Sequence, residues 1–286
     1  MNFKKILLWL SGIVALVFIV AGSFYGIYLR PFMKEMMVMN TVPVDSQLTL
    51  VLGGGGNSGI LTSDSLVLVV DTKMREATKP FYDQVKQIAG NRPIIVVNTH
   101  VHSDHNGGNN LFKGQTIIAG GNYDPAFWKS DAGEQNLPTQ WVKDSLVIKV
   151  GDETVTILNI PFSAHTQSDV VVYLKNHKMI FTGDVVLDKQ IPALFKKYNA
   201  SSTGYLNAFD LMEKRYDIKE VVPGHGKVGG VEVIDNFRQF FKDMQTVATD
   251  PSTKDALFAK YKDWRQVPLI MSPRATVSYM KGETDK

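Results

Sequence analysis

The sequence predicts an α+β domain of two sheets packed face to face with helices outside, preceded by an N-terminal transmembrane helix. Three observations carry this reading. Residues 6–29 run without a charge between Lys4-Lys5 and Arg30. Beyond residue 48, short apolar runs of strand length are bounded by Gly, Pro, Asn and Asp, with amphipathic helical stretches between and after them. Histidines and carboxylates recur where those runs end, which places a site along one edge of the sheets.

A helix over residues 6–29, at ~1.5 Å per residue, spans roughly 36 Å, against a bilayer core of ~30 Å. The apolar stretch continues past the imperfect small-x-small site at Val20-Ala21-Gly22-Ser23. An uncleaved anchor therefore fits better than a signal peptide, whose apolar region spans about 7–15 residues. Two lysines in a short N-terminal tail (residues 1–5) keep that tail inside, so the domain is expected outside the cytoplasm, in the periplasm or at the cell surface. Residues 30–47 are Met-rich and read as a linker, leaving 48–286 for the domain.

With 286 residues, 44% of them hydrophobic, the chain can bury one sizeable core. It has no cysteine, which excludes disulfides, thiolate metal sites and a Cys nucleophile. The net charge of +3 comes from the anchor. Residues 1–30 hold Lys4, Lys5 and Arg30 and no acid, so 28 basic and 28 acidic residues remain. A neutral domain carries no basic stripe and argues against a nucleic-acid partner.

Along the domain, residues 48–52 and 58–62 read as strands around Gly53-Gly54-Gly55-Gly56. No Gly-Lys-Ser/Thr follows, so the glycines are a hairpin turn rather than a phosphate cradle. A strand at 65–70 ends at Asp71-Thr72, and residues 73–88 show helical spacing up to Gly90. A strand at 93–97 delivers Asn98-Thr99-His100-Val101-His102-Ser103-Asp104-His105. Residues 115–119 form a short strand, and 122–139, with little periodicity, a surface segment near the site. Strands follow at 146–150, 154–160, 170–174 and 179–182. His165 precedes the third of these, with Asp169 supporting its loop. His177 sits in the turn between the last two and reads as solvated. After Asp184 comes a long loop, 185–201. Ser202 or Thr203 caps a helix to about Arg215, a short strand at 220–222 meets Pro223-Gly224-His225-Gly226, and residues 232–248 and those after Pro251 are helical. The tail from Val267 shows no pattern.

His100, His102, Asp104 and His105 crowd one loop after a buried strand, a costly arrangement that a metal ion compensates. Imidazole and carboxylate suit zinc or iron. Asp71 is either a partner for a ligand histidine or a plain strand-terminal Asp.

His100-x-His102-x-Asp104-His105, followed in order by His165, Asp184 and His225, resembles the metallo-β-lactamase superfamily. So do Val70-Asp71-Thr72, Ala164-His165-Thr166, Thr182-Gly183-Asp184 and Pro223-Gly224-His225-Gly226. The resemblance covers residues 48–245 and has features of both class B β-lactamases and the hydroxyacyl-glutathione hydrolase type. It implies a four-layer αββα sandwich with two Zn2+ ions, iron being the other candidate. His100, His102 and His165 would hold one ion and Asp104, His105 and His225 the other, with Asp184 bridging. A metal-bridged hydroxide would attack an ester, thioester or amide carbonyl of a small-molecule substrate, with Asp104 as the catalytic residue orienting it or passing a proton. β-Lactam hydrolysis and a mononuclear iron enzyme of the persulfide dioxygenase type are the alternatives. Asp184 stands where the best-known lactamase subclass has Cys, and that subclass's carboxylate-gripping Lys would fall at Leu187. Lys189, Lys196 and Lys197 are possible substitutes. Loops 184–201 and 122–139 are expected to line the substrate pocket.

Overall fold

The computed structural model describes residues 3–121 and 124–284. It divides into two units, residues up to Val38 and residues from Met39 onward.

The first unit is helical: α1 (Phe3–Phe24), a π-helical turn (Tyr25–Leu29) and α2 (Arg30–Met36). Trp9, Leu16, Phe18, Ile19 and Ile27 are all exposed. A helix apolar all round is buried or spans a bilayer. Among the described residues, this is the single helical stretch long and apolar enough to cross a membrane.

The second unit holds two sheets. The first runs in chain order: β1 (Met39–Pro43), β2 (Leu48–Gly53), β3 (Ser58–Thr62), β4 (Val67–Val70), β5 (Ile94–Val97), β6 (Thr116–Gly120) and β7 (Gln140–Val142). Its first four strands are antiparallel, and its last three add in parallel. The second sheet comprises β8 (Ser145–Val150), β9 (Glu153–Asn159), β10 (Val170–Leu174), β11 (Met179–Gly183) and β12 (Glu220–Pro223), antiparallel except for the parallel pair β11–β12. The helices are α3 (Thr78–Ala89), α4 (Ser103–Asn106), α5 (Pro125–Ala132), α6 (Ser202–Arg215), α7 (Glu232–Thr249), α8 (Lys254–Lys260) and α9 (Pro273–Thr284).

Three apolar clusters set the layers. Leu50, Leu68, Val70 and Val97 of the first sheet meet Val155, Ile157, Val172 and Phe181 of the second, forming the core between them. Phe81, Val85 and Ala89 of α3 cover the outer face of the first sheet at Val67, Val69, Ile94 and Val96. Tyr205, Phe209 and Met212 of α6, and Phe237, Phe241 and Met244 of α7, cover the second sheet at Val171, Ile180 and Val221. Each strand of β4, β5, β10 and β11 is buried on both faces, which explains their continuous apolar runs. The four layers follow from this division. Parallel pairing aims the C-terminal ends of β4, β5, β11 and β12 at one edge of the sandwich. Asp71, the 98–105 loop, Asp184 and His225 follow those ends directly, as ligand sites in such sheets do.

Four details differ from the sequence reading. Residues 30–47 are not an irregular linker throughout: Met39–Pro43 pair with β2 in register Met39↔Gly53 to Pro43↔Thr49. β1 alternates too little to show as a half-buried strand, because four of its five side chains are exposed at a sheet edge. The tail holds α9, whose Val277 and Met280 join the outer core. Residues 122–139 hold α5, with Trp128 fully buried; Asn122 and Tyr123 lie outside the described residues. The cap of α6 is Ser201, whose hydroxyl accepts from Gly204 N.

Candidate metal centre

The loop after β5 bends at residues 99–101. His102 is extended and leads into the single turn of α4, which carries Asp104 and His105. His165 comes from the 160–169 loop between β9 and β10, Asp184 from the end of β11 and His225 from the loop after β12. All seven residues singled out in the sequence converge. His100, His102, His165 and Asp184 form one group, and Asp104, His105 and His225 a second, with ligand atoms of each group within 4.8 Å of one another.

In the first group, His102 Nδ1 lies 3.1 Å from His100 Nε2 and 2.9 Å from His165 Nε2. Asp184 Oδ2 is 3.5 Å from His165 Nε2. In the second, Asp104 Oδ2 is 3.0 Å from His225 Nε2. The other oxygen of Asp184, Oδ1, is 3.1 Å from His105 Nε2 and 3.4 Å from His225 Nε2. Asp184 thus turns one oxygen towards each group. Gly224 lets it do so: a Cβ there would sit 2.0 Å from Asp184 Oδ1.

The electrostatics fit a cation. Burial, reinforced by neighbouring imidazoles, holds His100 well below the usual range and His165 down at about 3, so both are neutral. Neutral imidazoles whose lone pairs face one another at hydrogen-bond distance repel unless a proton or a metal ion lies between them. His105 Nε2 and Asp184 Oδ1 are buried 3.1 Å apart with no well-formed hydrogen bond to any group, although Asp71, Asp184 and Asp104 raise the His105 pKa against its burial. Such orphaned acceptors are costly unless an ion takes their lone pairs. Burial also works against the ionised forms of Asp104 and Asp184, yet the surrounding histidines hold both carboxyls below the ordinary range. The donor set of imidazoles and carboxylates, without thiolate, suits zinc or iron.

Asp71 settles the alternative left open by its position in the sequence. It has a left-handed φ of 59°. Its Oδ1 accepts from Thr99 N at 2.8 Å, and its Oδ2 accepts from Thr99 Oγ1 at 2.8 Å and from His105 Nδ1 at 2.7 Å. Because Thr99 gives its hydroxyl proton to Asp71, its oxygen is left to accept from His100 Nδ1 at 3.1 Å. One carboxylate therefore fixes the tautomers of two histidines, one in each group, and leaves both Nε2 lone pairs facing inward. Asp169 supports its own loop as the sequence implies, accepting from the backbone N–H groups of Ala164, His165 and Thr166 and from the Thr166 hydroxyl.

Other side chains gather around the cluster, and of these Tyr205 gave no signal in the sequence. Tyr205, one of ten tyrosines, is fully buried, and its hydroxyl lies 2.8 Å from His165 Nδ1. The Tyr198 ring packs edge-on against His102 at 4.3 Å, and its hydroxyl bonds Asp131 of α5. Lys197 Nζ reaches Asp131 at 3.3 Å and lies 4.8 Å from the centre of the Tyr198 ring. Loops 184–201 and 122–139 thus both approach His102. Leu187 is buried in the outer core, and of the three candidate lysines Lys197 is the one tied to a residue that touches the cluster.

The Metallo-beta-lactamase superfamily profile matches residues 51–225. Over 212 residues the chain is 26% identical to the Acyl-coenzyme A thioesterase MBLAC2 of Gallus gallus, covering 63% of this chain and 76% of that protein. It is 30% identical over 169 residues to a Metallo-beta-lactamase type 2 of Bacillus sp. (strain 170), covering 59% and 65%. Among solved structures, a Metallo-beta-lactamase from Pontibacter korlensis superposes with a TM-score of 0.59 at 20% identity, over 72% of this chain and 99% of that one.

Proposed function

The chain belongs to the metallo-beta-lactamase superfamily, and from that membership we propose that it is a dinuclear metal-dependent hydrolase of small-molecule acyl thioesters or esters. The observation that carries this reading is Asp184, with Oδ2 facing the group of His100, His102 and His165, and Oδ1 facing His105 and His225. His100, His102 and His165 would hold one ion, Asp104, His105 and His225 the other, and Asp184 both. Two zinc ions there would supply Lewis acidity that lowers the pKa of water and polarises a carbonyl oxygen. Asp104 is the most exposed carboxylate of the set, with 19% of its side chain open, and serves to orient the attacking water and to carry its proton. Asp71 and Thr99 keep His100 and His105 in the ligating tautomer throughout. The completeness of the second group favours two ions over a mononuclear iron centre.

The thioester reading is supported by the similarity to acyl-coenzyme A thioesterases. The 30% identity to a Bacillus lactamase supports a second reading, β-lactam hydrolysis. Leu187 weighs against it, because a buried aliphatic residue stands where a carboxylate-gripping lysine would be needed. Metal analysis of the detergent-solubilised chain, with a parallel screen of acyl-coenzyme A and glutathione thioesters against a chromogenic cephalosporin, decides between them. Two metal equivalents and thioester turnover are expected. One iron with oxygen consumption, or turnover of the cephalosporin alone, would overturn the assignment.

The apolar helix is proposed to anchor the domain at the outer face of a membrane, on the support of its length and of Lys4 and Lys5 before it. A tag inserted after residue 35 is expected to be cleaved by protease added to spheroplasts; protection would reverse the orientation.

A further inference from the structure

The run Gly53-Gly54-Gly55-Gly56 and the buried Lys73 take no part in the chemistry above, yet the fold brings them together beside it. Lys73 is 0% exposed and has a left-handed φ of 69°. Its Nζ donates to the carbonyls of Val51 at 2.5 Å and Gly56 at 2.7 Å and lies 5.3 Å from the centre of the Phe81 ring. Burying a lysine amine is costly unless its hydrogens are bonded, and burial pulls its pKa well below the ordinary value, so these bonds must hold something whose position matters.

What they hold is the turn between β2 and β3. Gly56 N donates to Asp104 O at 3.0 Å, and a Cβ on Gly56 would lie 2.2 Å from His105 Cε1. The backbone of Gly56 therefore packs directly on the His105 ring. The next residue, Asn57, ties the turn to the His225 loop. Its N–H donates to Gly224 O at 2.7 Å, and its Nδ2 donates to Pro223 O at 2.9 Å and Gly226 O at 3.0 Å. Its Oδ1 accepts from Gly53 N at 3.0 Å, closing the turn on itself. On the other flank of Lys73, Met74 N donates to Gly54 O and Thr72 N to His105 O. These bonds go to the segments that carry Asp104, His105 and His225. His100 and His165 are held from elsewhere, by Thr99, Asp169 and Tyr205.

We propose that Lys73, acting through the glycine turn and Asn57, is a positioning residue for the second metal ion, fixing the backbone on which Asp104, His105 and His225 converge. This rests on the two-ion reading above. The absence of side chains at Gly55 and Gly56 is then functional: only a bare backbone can reach His105 and Asp104 while the Gly56 carbonyl turns back to the lysine.

The test titrates cobalt(II) into the metal-free, detergent-solubilised full chain, following visible absorption and confirming affinities with zinc against a competing chelator. A wild-type chain that binds only one equivalent refutes the two-ion reading itself. If it binds two, Lys73→Met, Asn57→Ala and Gly56→Ala are expected to keep the first equivalent at wild-type affinity. The second should weaken by about 10–100-fold, as loss of a partner that orients a ligand does. Two unchanged equivalents, or equal weakening of both, overturns the proposal. Should Lys73→Met lose its near-ultraviolet circular dichroism, Asn57→Ala and Gly56→Ala decide, since both leave the buried lysine in place.

Discussion

Five of the six histidines lie at one edge of the sandwich, and the sixth, His177, lies at the far end of β10 and β11. The two places put the same side chain in opposite surroundings. At the metal edge, imidazole nitrogens face one another at 2.9 and 3.1 Å, and burial keeps His100 and His165 neutral. At the other end, His177 lies between two carboxylates, with Nδ1 2.5 Å from Glu153 Oε2 and Nε2 2.9 Å from Asp45 Oδ2. Burial disfavours its charge, but the two carboxylates outweigh that and raise its pKa. His177 brings its own proton to a negative pocket and needs nothing from outside. At the metal edge Asp71, Asp184 and Asp104 raise His105 in the same way, but His100, His102 and His165 face one another with pKa values lowered by burial, and it is their lone pairs that a cation would take. A histidine cluster thus reads as a metal site by what faces its nitrogens, not by how many histidines it has.

The sharpest way to break this contrast is His165→Ala. Removing that nitrogen should cost one of the two metal equivalents and take hydrolysis to background, and chelator should then lower the melting temperature less than in the wild type, because metal binding contributes folding free energy. Unchanged metal content would refute the assignment. Asp71→Asn is the next largest. An amide in place of the carboxylate can present a donor to Thr99 or His105 and releases both tautomers at once, so zinc affinity should fall by about 10–100-fold. Proton NMR of the imidazole N–H signals of His100 and His105 would report the change directly. Smallest is His177→Gln, which leaves metal content untouched and lowers stability by about 1.5–3 kcal/mol, the range for hydrogen bonds to charged groups. The sign of its pH dependence follows from the raised pKa of His177. Its contribution is complete below the unfolded value of ~6.5 and is lost as pH rises through the higher folded value. Urea unfolding should therefore show the gap between wild type and variant widest near pH ~6 and narrowing towards pH ~9. A gap that widens with pH would mean that His177 is neutral in its pocket.

His177 also marks where the sequence could not be read. It lies in the turn Lys175-Asn176-His177-Lys178, polar on every side, and a solvated residue was the natural expectation. Its partners are 24 and 132 positions away in sequence: Glu153 meets it through the pairing of β9 with β10, and Asp45 comes from the loop between β1 and β2. The glycine run read correctly as a turn, but what it packs against was set by the 98–105 loop and the His225 loop. The tail helix α9 and the edge strand β1 were missed for a shared reason. Each has a weak pattern of its own and is stabilised by packing on another element, α7 for one and the hairpin partner β2 for the other.

The sequence by itself determined the sandwich and the composition of its site. Buried strands need continuous apolar runs, helices need one apolar face, and the candidate metal ligands fall at strand ends in a fixed order. All of these are local or periodic features of a chain. The tertiary structure alone decided which nitrogen of each imidazole faces inward, that Asp71 governs two of them, that Tyr205 backs His165 and that a buried lysine braces the glycine turn. Those facts depend on hydrogen-bond directions between residues tens to more than a hundred positions apart, and no spacing along the chain encodes a direction in space.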